Sequence, residues 1–188
     1  MNIWKLSVNE DFNDAFLINE IGKQCFEKDS FFKEIHKSPQ VRNLDIRTKP
    51  MEFADIMNYY GASGTYVVNS KVRDLIVSYF GNLSIQFIPC TYSEVPDMKM
   101  WLLNVCEYHD VLDVKNSICR KVRNFEGKEV IRSVKKYVFE KEAFNFDIFK
   151  IYLSNRKYTT YLFVSDRFKN IMEQNHITGL NLIKVYEI

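Results

Sequence analysis

Histidine is scarce in this chain, with only His36, His109 and His176 among 188 residues. A hydroxyl or thiol nucleophile needs a base within hydrogen-bond reach, and none of the three stands in a GxSxG, HExxH or similar context. We read the chain as a non-enzyme that carries no cofactor. The four cysteines, Cys25, Cys90, Cys106 and Cys119, are scattered, with no CxxC pair and no histidines at ligand spacing. That pattern argues against a zinc site and against a disulfide framework, and is expected of reduced, mostly buried thiols. "GASG" has two glycines but lacks the lysine and following hydroxyl of a phosphate-binding loop. Glu107, Asp110 and Asp113 recur at intervals of three, without the Asn and Asp alternation or the central glycine of an EF-hand, so no metal site is expected. The opening "MNIWKLSVNEDFND" carries acids where a signal peptide needs positive charge. No apolar run approaches the ~20 residues of a membrane span. A cytoplasmic protein with no membrane association is the expectation.

What is present is aromatic and unevenly charged. The formal net charge is only +2, yet residues 114–160 hold twelve Lys or Arg against five Asp or Glu, a balance of +7, while residues 1–60 hold eight against ten, or −2. Between them "NVCEYHDVLD" supplies Glu107, Asp110 and Asp113 with no base. Such runs usually coat solvated faces. Fifteen phenylalanines and eleven tyrosines beside cations raise nucleic-acid binding through segment 114–160, since cationic grooves hold phosphates and aromatic faces stack on bases. Most of these aromatics sit at strand periodicity inside apolar runs, as core residues do, and no RNP-like signature is present. Nucleic acid is therefore the second reading and an unlikely partner.

One construction occurs twice. "VVNSKVRDLIVSYFGNLSIQFIPC" and the closing "FVSDRFKNIMEQNHITGLNLIKVYEI" place Val68 on Val164, Asn69 on Ser165, Val72 on Phe168 and Ile76 on Met172. After one inserted residue Leu83 falls on Leu180 and Ile85 on Leu182. In each copy an apolar run meets a helix-capping residue, whose side-chain oxygen can accept from the free N–H groups of a helix start. Apolar residues then recur at three and four, the spacing of one buried helical stripe. Gly81 and Gly179 are expected to end these helices in the left-handed conformation, and alternating residues follow. Both copies read strand, helix, strand.

The rest of the chain reads mainly as β structure. "MNIWKLSV" suggests a first strand, residues 9–37 a partly helical and partly irregular stretch, and "SPQVRNLDIRTKP" a short strand between turns. "MEFADIMNYYGASGTYVV" suggests a short helix broken at Gly61 and Gly64 that leads into the first strand of the repeat, Trp101 to Cys106 a strand, and residues 137–165 three strands or strand plus turn. These elements predict an α+β fold with a mixed or antiparallel sheet built around the two strand-helix-strand units, helices packed on the sheet. A chain of 188 residues suits a single domain that buries roughly 70% of its surface. We expect residues 1–60 to be its less regular part and 61–188 its core, with the repeat at 65–90 and 161–187.

In order, a capped amphipathic unit, the arrangement of Asn104, Asp110, Asp113 and Ser117, a basic β-rich segment and a terminal "TGLNLIKV" after a second helix resemble immunity protein family eleven of bacterial polymorphic toxin systems. The resemblance spans about residues 66–188. It implies a protein without chemistry of its own that binds and neutralises a cognate secreted toxin encoded nearby. On that implication, the carboxylate turn of Glu107, Asp110 and Asp113, with Tyr108 and His109, is the expected contact with a basic cleft on the toxin. Arg120, Lys121, Arg123, Arg132, Lys135 and Lys136 form the alternative surface, suited to an acidic toxin.

Overall fold

Both α-helices of the described residues begin on a side-chain cap held by an aspartate. The computed structural model describes residues 1–8, 16–17, 46–47, 54–59, 64–90 and 97–188; the stretch read as partly helical, residues 9–37, lies almost entirely outside them. Asn69 Oδ1 accepts from Val72 N at 3.1 Å at the start of α1, Ser70–Phe80. Ser165 Oγ accepts from Phe168 N at 3.2 Å at the start of α2, Asp166–Gln174. Asp55 Oδ1 accepts from Asn69 Nδ2, and Asp147 Oδ1 accepts from the Ser165 hydroxyl, both at 2.6 Å. The carbonyls of the same aspartates accept from Asn69 N and Ser165 N, both at 3.0 Å. Lys71 approaches Asp55 to 3.8 Å and Arg167 approaches Asp147 to 2.5 Å.

The strands of the described residues, in chain order, are β1 Asn2–Val8, β2 Phe16–Leu17, β3 Ile46–Arg47, β4 Ile56–Asn58, β5 Tyr66–Asn69, β6 Ile85–Cys90, β7 Met100–Val105, β8 Tyr108–His109, β9 Ile118–Arg123, β10 Glu129–Lys136, β11 Ile148–Leu153, β12 Arg156–Ser165 and β13 Leu180–Glu187. With two helices, this is a mixed α+β fold that is mostly strand. One sheet has the order β4-β5-β7-β6 and another the order β13-β1-β12-β11-β8; β9 with β10, and β2 with β3, form separate pairs. β5 and β6 both pair antiparallel with β7, and β12 and β13 both pair antiparallel with β1. Trp101 on β7 lies opposite Val68 and Trp4 on β1 opposite Val164. The Arg73 guanidinium stands 4.9 Å over the Trp101 ring and the Lys169 ammonium 5.2 Å over Trp4. The chain ends meet, Met1 N donating to the Ile188 carbonyl and Ile188 N to that of Met1, both at 3.2 Å.

Apolar spacing places the core. Val72, Ile76 and Phe80 of α1 and Phe168, Ile171 and Met172 of α2 share one buried cluster with Leu6, Val68, Leu103, Ile148, Leu162 and Val164 of the sheets. Phe80 and Phe168 meet at 5.7 Å between ring centroids. The opposite face of β11 and β12 is covered as well. There Phe149, Ile151 and Phe163 pack against Val111, Leu112, Val134, Tyr137, Phe139 and Ala143. Phe139 sets its edge on Phe163 at 5.3 Å and on Phe149 at 6.0 Å, the arrangement aromatic quadrupoles favour.

Two local expectations are corrected. Residues 56–58 form strand β4 instead of a short helix, because Ile56 lies opposite Val68 in a hairpin and is buried, a tertiary pairing that overrides local pattern. Gly81 ends α1 at φ −66°, in right-handed geometry. Beyond α2 the first left-handed residue is His176, at φ 51°. Gly179, at φ 79°, serves another purpose: a side chain there would collide with the carbonyl of Ile56.

Candidate functional site

β7 ends at Val105, and the chain then turns past Glu107 into β8, the edge strand beside β11. This is the carboxylate turn of the sequence, and most of its polar groups bond within the chain. Glu107 Oε1 accepts from Ser84 N at 2.5 Å, its carbonyl accepts from Lys150 N at 2.7 Å, and Oε2 lies 3.4 Å from His109 Nε2. The His109 ring stacks on Phe146, 3.6 Å between centroids and 13° from parallel. Tyr108 packs against Tyr152 at 5.8 Å with the Lys157 ammonium 4.6 Å over its ring. Burial pushes the Tyr108 hydroxyl well above the ordinary phenol range, and proximity to Cys106 and Tyr152 adds to it. Asp113 accepts from Asn116 N at 3.0 Å and Asn116 Nδ2 at 2.6 Å. Those two bonds hold its carboxyl below the usual range. Asp110 alone of the three acids is exposed.

The other residues that carried the resemblance are internal too. Asn104 is buried, with Nδ2 donating to Gln86 Oε1 at 3.1 Å. Ser117 Oγ accepts from Val138 N at 3.0 Å and donates to the Val138 carbonyl at 3.2 Å. Asn104 thus ties β7 to β6, while Asp113 and Ser117 fix the turn that leads into β9.

Opposite Tyr108 in the ladder is Lys150, which sequence reasoning passed over. Its side chain is fully buried and its ammonium has no hydrogen-bond partner among the described residues. Burial pulls its pKa from 10.5 down to about 8, with a smaller push in the same direction from Lys157 and an opposing one from Cys106. A lone cation inside the apolar run "FDIFKIYL" was the signal that pointed to it.

The basic surface is concentrated in the β9–β10 hairpin. Residues 118–136 contain seven Lys or Arg and two Glu, a balance of +5. Lys121 pairs with Glu129 at 2.8 Å and Lys128 with Glu126 at 3.0 Å. Arg120, Arg123, Arg132, Lys135 and Lys136 are exposed and have no ion-pair partner among the described residues. Cys119, Ile131 and Val134 seat the hairpin on the aromatic cluster, and Ile131 N donates to Ser154 Oγ at 3.0 Å. Beside that bond is a recess of about 160 Å³ lined by Val130, Ile131, Leu153, Arg156 and Lys157 among others. Lys157 belongs to both regions, lining this recess and covering Tyr108.

At the hairpin's tip Phe125 is fully exposed. The sequence signal for it is an aromatic inside an Asn-x-x-Gly turn flanked by charges. Among the described residues no helix is long and apolar enough to cross a membrane. No curated protein matches the chain. A family model does, the Immunity protein family (Imm11), over residues 13–187, so the likeness reaches well before Tyr66. The chain belongs to the Immunity protein family (Imm11).

Proposed function

We propose that this protein neutralises a cognate secreted toxin by binding it in the cytoplasm of the producing cell, with no chemistry of its own. The observation that carries the reading is the family match along nearly the whole chain. The architecture supports it: an inhibitor of this kind needs a rigid scaffold and an exposed face of defined shape and charge. The scaffold is one domain built around two similar strand-helix-strand units, β5-α1-β6 and β12-α2-β13. Matched caps, matched aspartates and matched cation-over-tryptophan contacts favour that reading. β1 and the meeting chain ends complete in the second unit what β7 completes in the first.

The turn of Glu107, Tyr108, His109, Asp110 and Asp113 is one part of the contact, with Glu107 and Asp113 holding its shape through bonds within the chain. Within it Asp110 is the carboxylate a partner reaches without disturbing an internal bond. Asp110→Lys therefore separates contact from folding, whereas Glu107→Lys also strips the acceptor from Ser84 N. The direct test is co-expression with the product of the adjacent reading frame, scored by growth and by co-purification. Rescue with a stable complex is the expected result; toxicity unchanged by this protein rejects the reading. A second reading, nucleic-acid binding through residues 114–160, is favoured by the unpaired cations of the hairpin. It requires an affinity for RNA or DNA that falls steeply with salt through counterion release.

A further inference from the structure

We infer that the β9–β10 hairpin is the arm that seizes the toxin, with Phe125 entering an apolar recess in an acidic face of that protein. The inference rests on the toxin-binding reading above and adds the surface and the partner's chemistry. Three observations carry it. Phe125 is fully exposed, although burying such a ring is worth about 2 kcal/mol or more, so a folded monomer gains nothing by presenting it. Its position is also fixed in advance. Asn124 Oδ1 accepts from Glu126 N at 3.0 Å and Lys128 N at 2.9 Å, Asn124 N donates to the Lys128 carbonyl at 2.9 Å, and Gly127 closes the turn at φ 76°. A preset turn lowers the entropy lost when the ring docks. Finally, the same hairpin carries Arg120, Arg123, Arg132, Lys135 and Lys136, which have no ion pair among the described residues, with Arg123 at the tip end opposite Glu129 and Lys136 at the base opposite Ile118. Buried aromatic and arginine anchors carry much of the binding energy of protein interfaces.

Cations along the free edge of β9 also deter strand pairing between copies of this chain, but that role needs no aromatic at the tip. A nucleic acid is less well matched, because one aromatic offers a single stacking platform and Glu126 and Glu129 lie among the cations. The same acids, and a lone apolar side chain, count against an anionic membrane surface.

The test uses the full-length protein and a catalytically inactive form of the toxin encoded by the adjacent reading frame. Wild type, Phe125→Ala and Arg120→Glu/Arg123→Glu are compared by titration and by growth rescue against the active toxin. Phe125→Ala is expected to weaken binding about tenfold to hundredfold. The double reversal takes the balance of residues 118–136 from +5 to +1 and is expected to slow association and to weaken its salt dependence, with circular dichroism and Tm unchanged for both. Wild-type binding that both variants reproduce overturns the hairpin assignment and leaves the immunity reading standing. A wild type that neither binds nor rescues overturns both. A 30-nucleotide single-stranded RNA serves as the competing probe; tight, salt-sensitive binding to it, lost in the double reversal, transfers the arm to nucleic acid and overturns the assignment as well.

Discussion

The carboxylate turn and the basic hairpin are neighbours in the chain, joined by the Asp113–Ser117 turn, yet they treat charge in opposite ways. In the turn, Glu107 and Asp113 are held by backbone and side-chain amides of the same chain, and the nearby Lys150 is sealed in the interior, its ammonium 5.8 Å over the Tyr108 ring and without a hydrogen-bond partner among the described residues. In the hairpin, five cations are exposed with no ion pair among the described residues and an aromatic stands at the tip. Charges already committed to the fold act on stability, while uncommitted charges are available to another molecule. Substitutions in the first region should therefore move the melting temperature, and those in the second should move affinity.

The largest expected change is at Lys150. Burial disfavours its charged form, so at neutral pH the folded state carries a penalty that the unfolded chain does not. Displacement of the pKa from 10.5 to about 8 corresponds to a penalty on the order of 3 kcal/mol. Lys150→Met, which keeps the side chain's length and apolar stem, is expected to raise Tm by several degrees at pH 7. The sign with pH follows from proton counting. Below pH 8 both states are protonated and the penalty is full; between about 8 and 10.5 the unfolded chain binds the proton and the folded one does not, so stability rises with pH. Above pH 10 the trend reverses. Burial pushes the Cys90 thiol from 9.0 up to about 12, which already opposes the rise above pH 9, and Tyr59, Tyr66, Tyr108 and Tyr137 are all held above the usual phenol range by burial, so the unfolded chain loses these protons first. Denaturant midpoints from pH 7 to 11 should trace a maximum that flattens on its acid side in Lys150→Met. An unchanged midpoint in that variant would show Lys150 to be solvated, and the contrast with the hairpin cations would fail.

A smaller loss is expected at Glu107. Glu107→Ala leaves Ser84 N without its acceptor and should cost about 1 kcal/mol, while Glu107→Gln, which keeps an acceptor oxygen, should recover most of it. Neutralisation per folded molecule should be the same for both. A drop in neutralisation with no change in midpoint would make the Glu107 carboxylate a contact after all and blur the division between the two regions.

The sequence was most legible where one physical rule acted alone. Asn69 and Ser165 read as caps because a hydroxyl or amide oxygen before a 3.6-residue stripe has few other uses, and both cap. The β1 and β7 strands, and the burial of Phe149 and Phe163, followed from apolar alternation. Ile56 was misread because three residues of strand next to Gly61 and Gly64 carry little period, and only pairing with Val68 decides them. The equivalence of Trp4 and Trp101 was equally out of reach, since it depends on which strand each chain segment meets and one of those strands comes from the opposite end of the sequence. For the candidate site, charge density was visible but commitment was not. "CEYHDVLD" looks like an acidic surface until Ser84 and Asn116 are seen to occupy two of its three carboxylates, and nothing along the chain reveals those partners.

The smallest stability effect, and the sharpest test of the contrast, belongs to the hairpin tip. Phe125→Ser removes a ring that touches water in the folded state, so the midpoint should shift by less than ~0.5 kcal/mol. Asn124→Ala is more informative. It leaves Phe125 and every cation in place but deletes the side-chain oxygen that accepts from Glu126 N and Lys128 N. The tip then samples many conformations, and part of the binding energy goes into restoring one of them. Affinity for the inactive toxin should fall by roughly tenfold, corresponding to about 1.4 kcal/mol, with the loss in the association rate if the toxin selects the ordered turn. Intact affinity in Asn124→Ala together with lost affinity in Phe125→Ser would mean that the ring matters and its presetting does not. The fold would then contribute only the aromatic and its cations, and not the shape in which they are held.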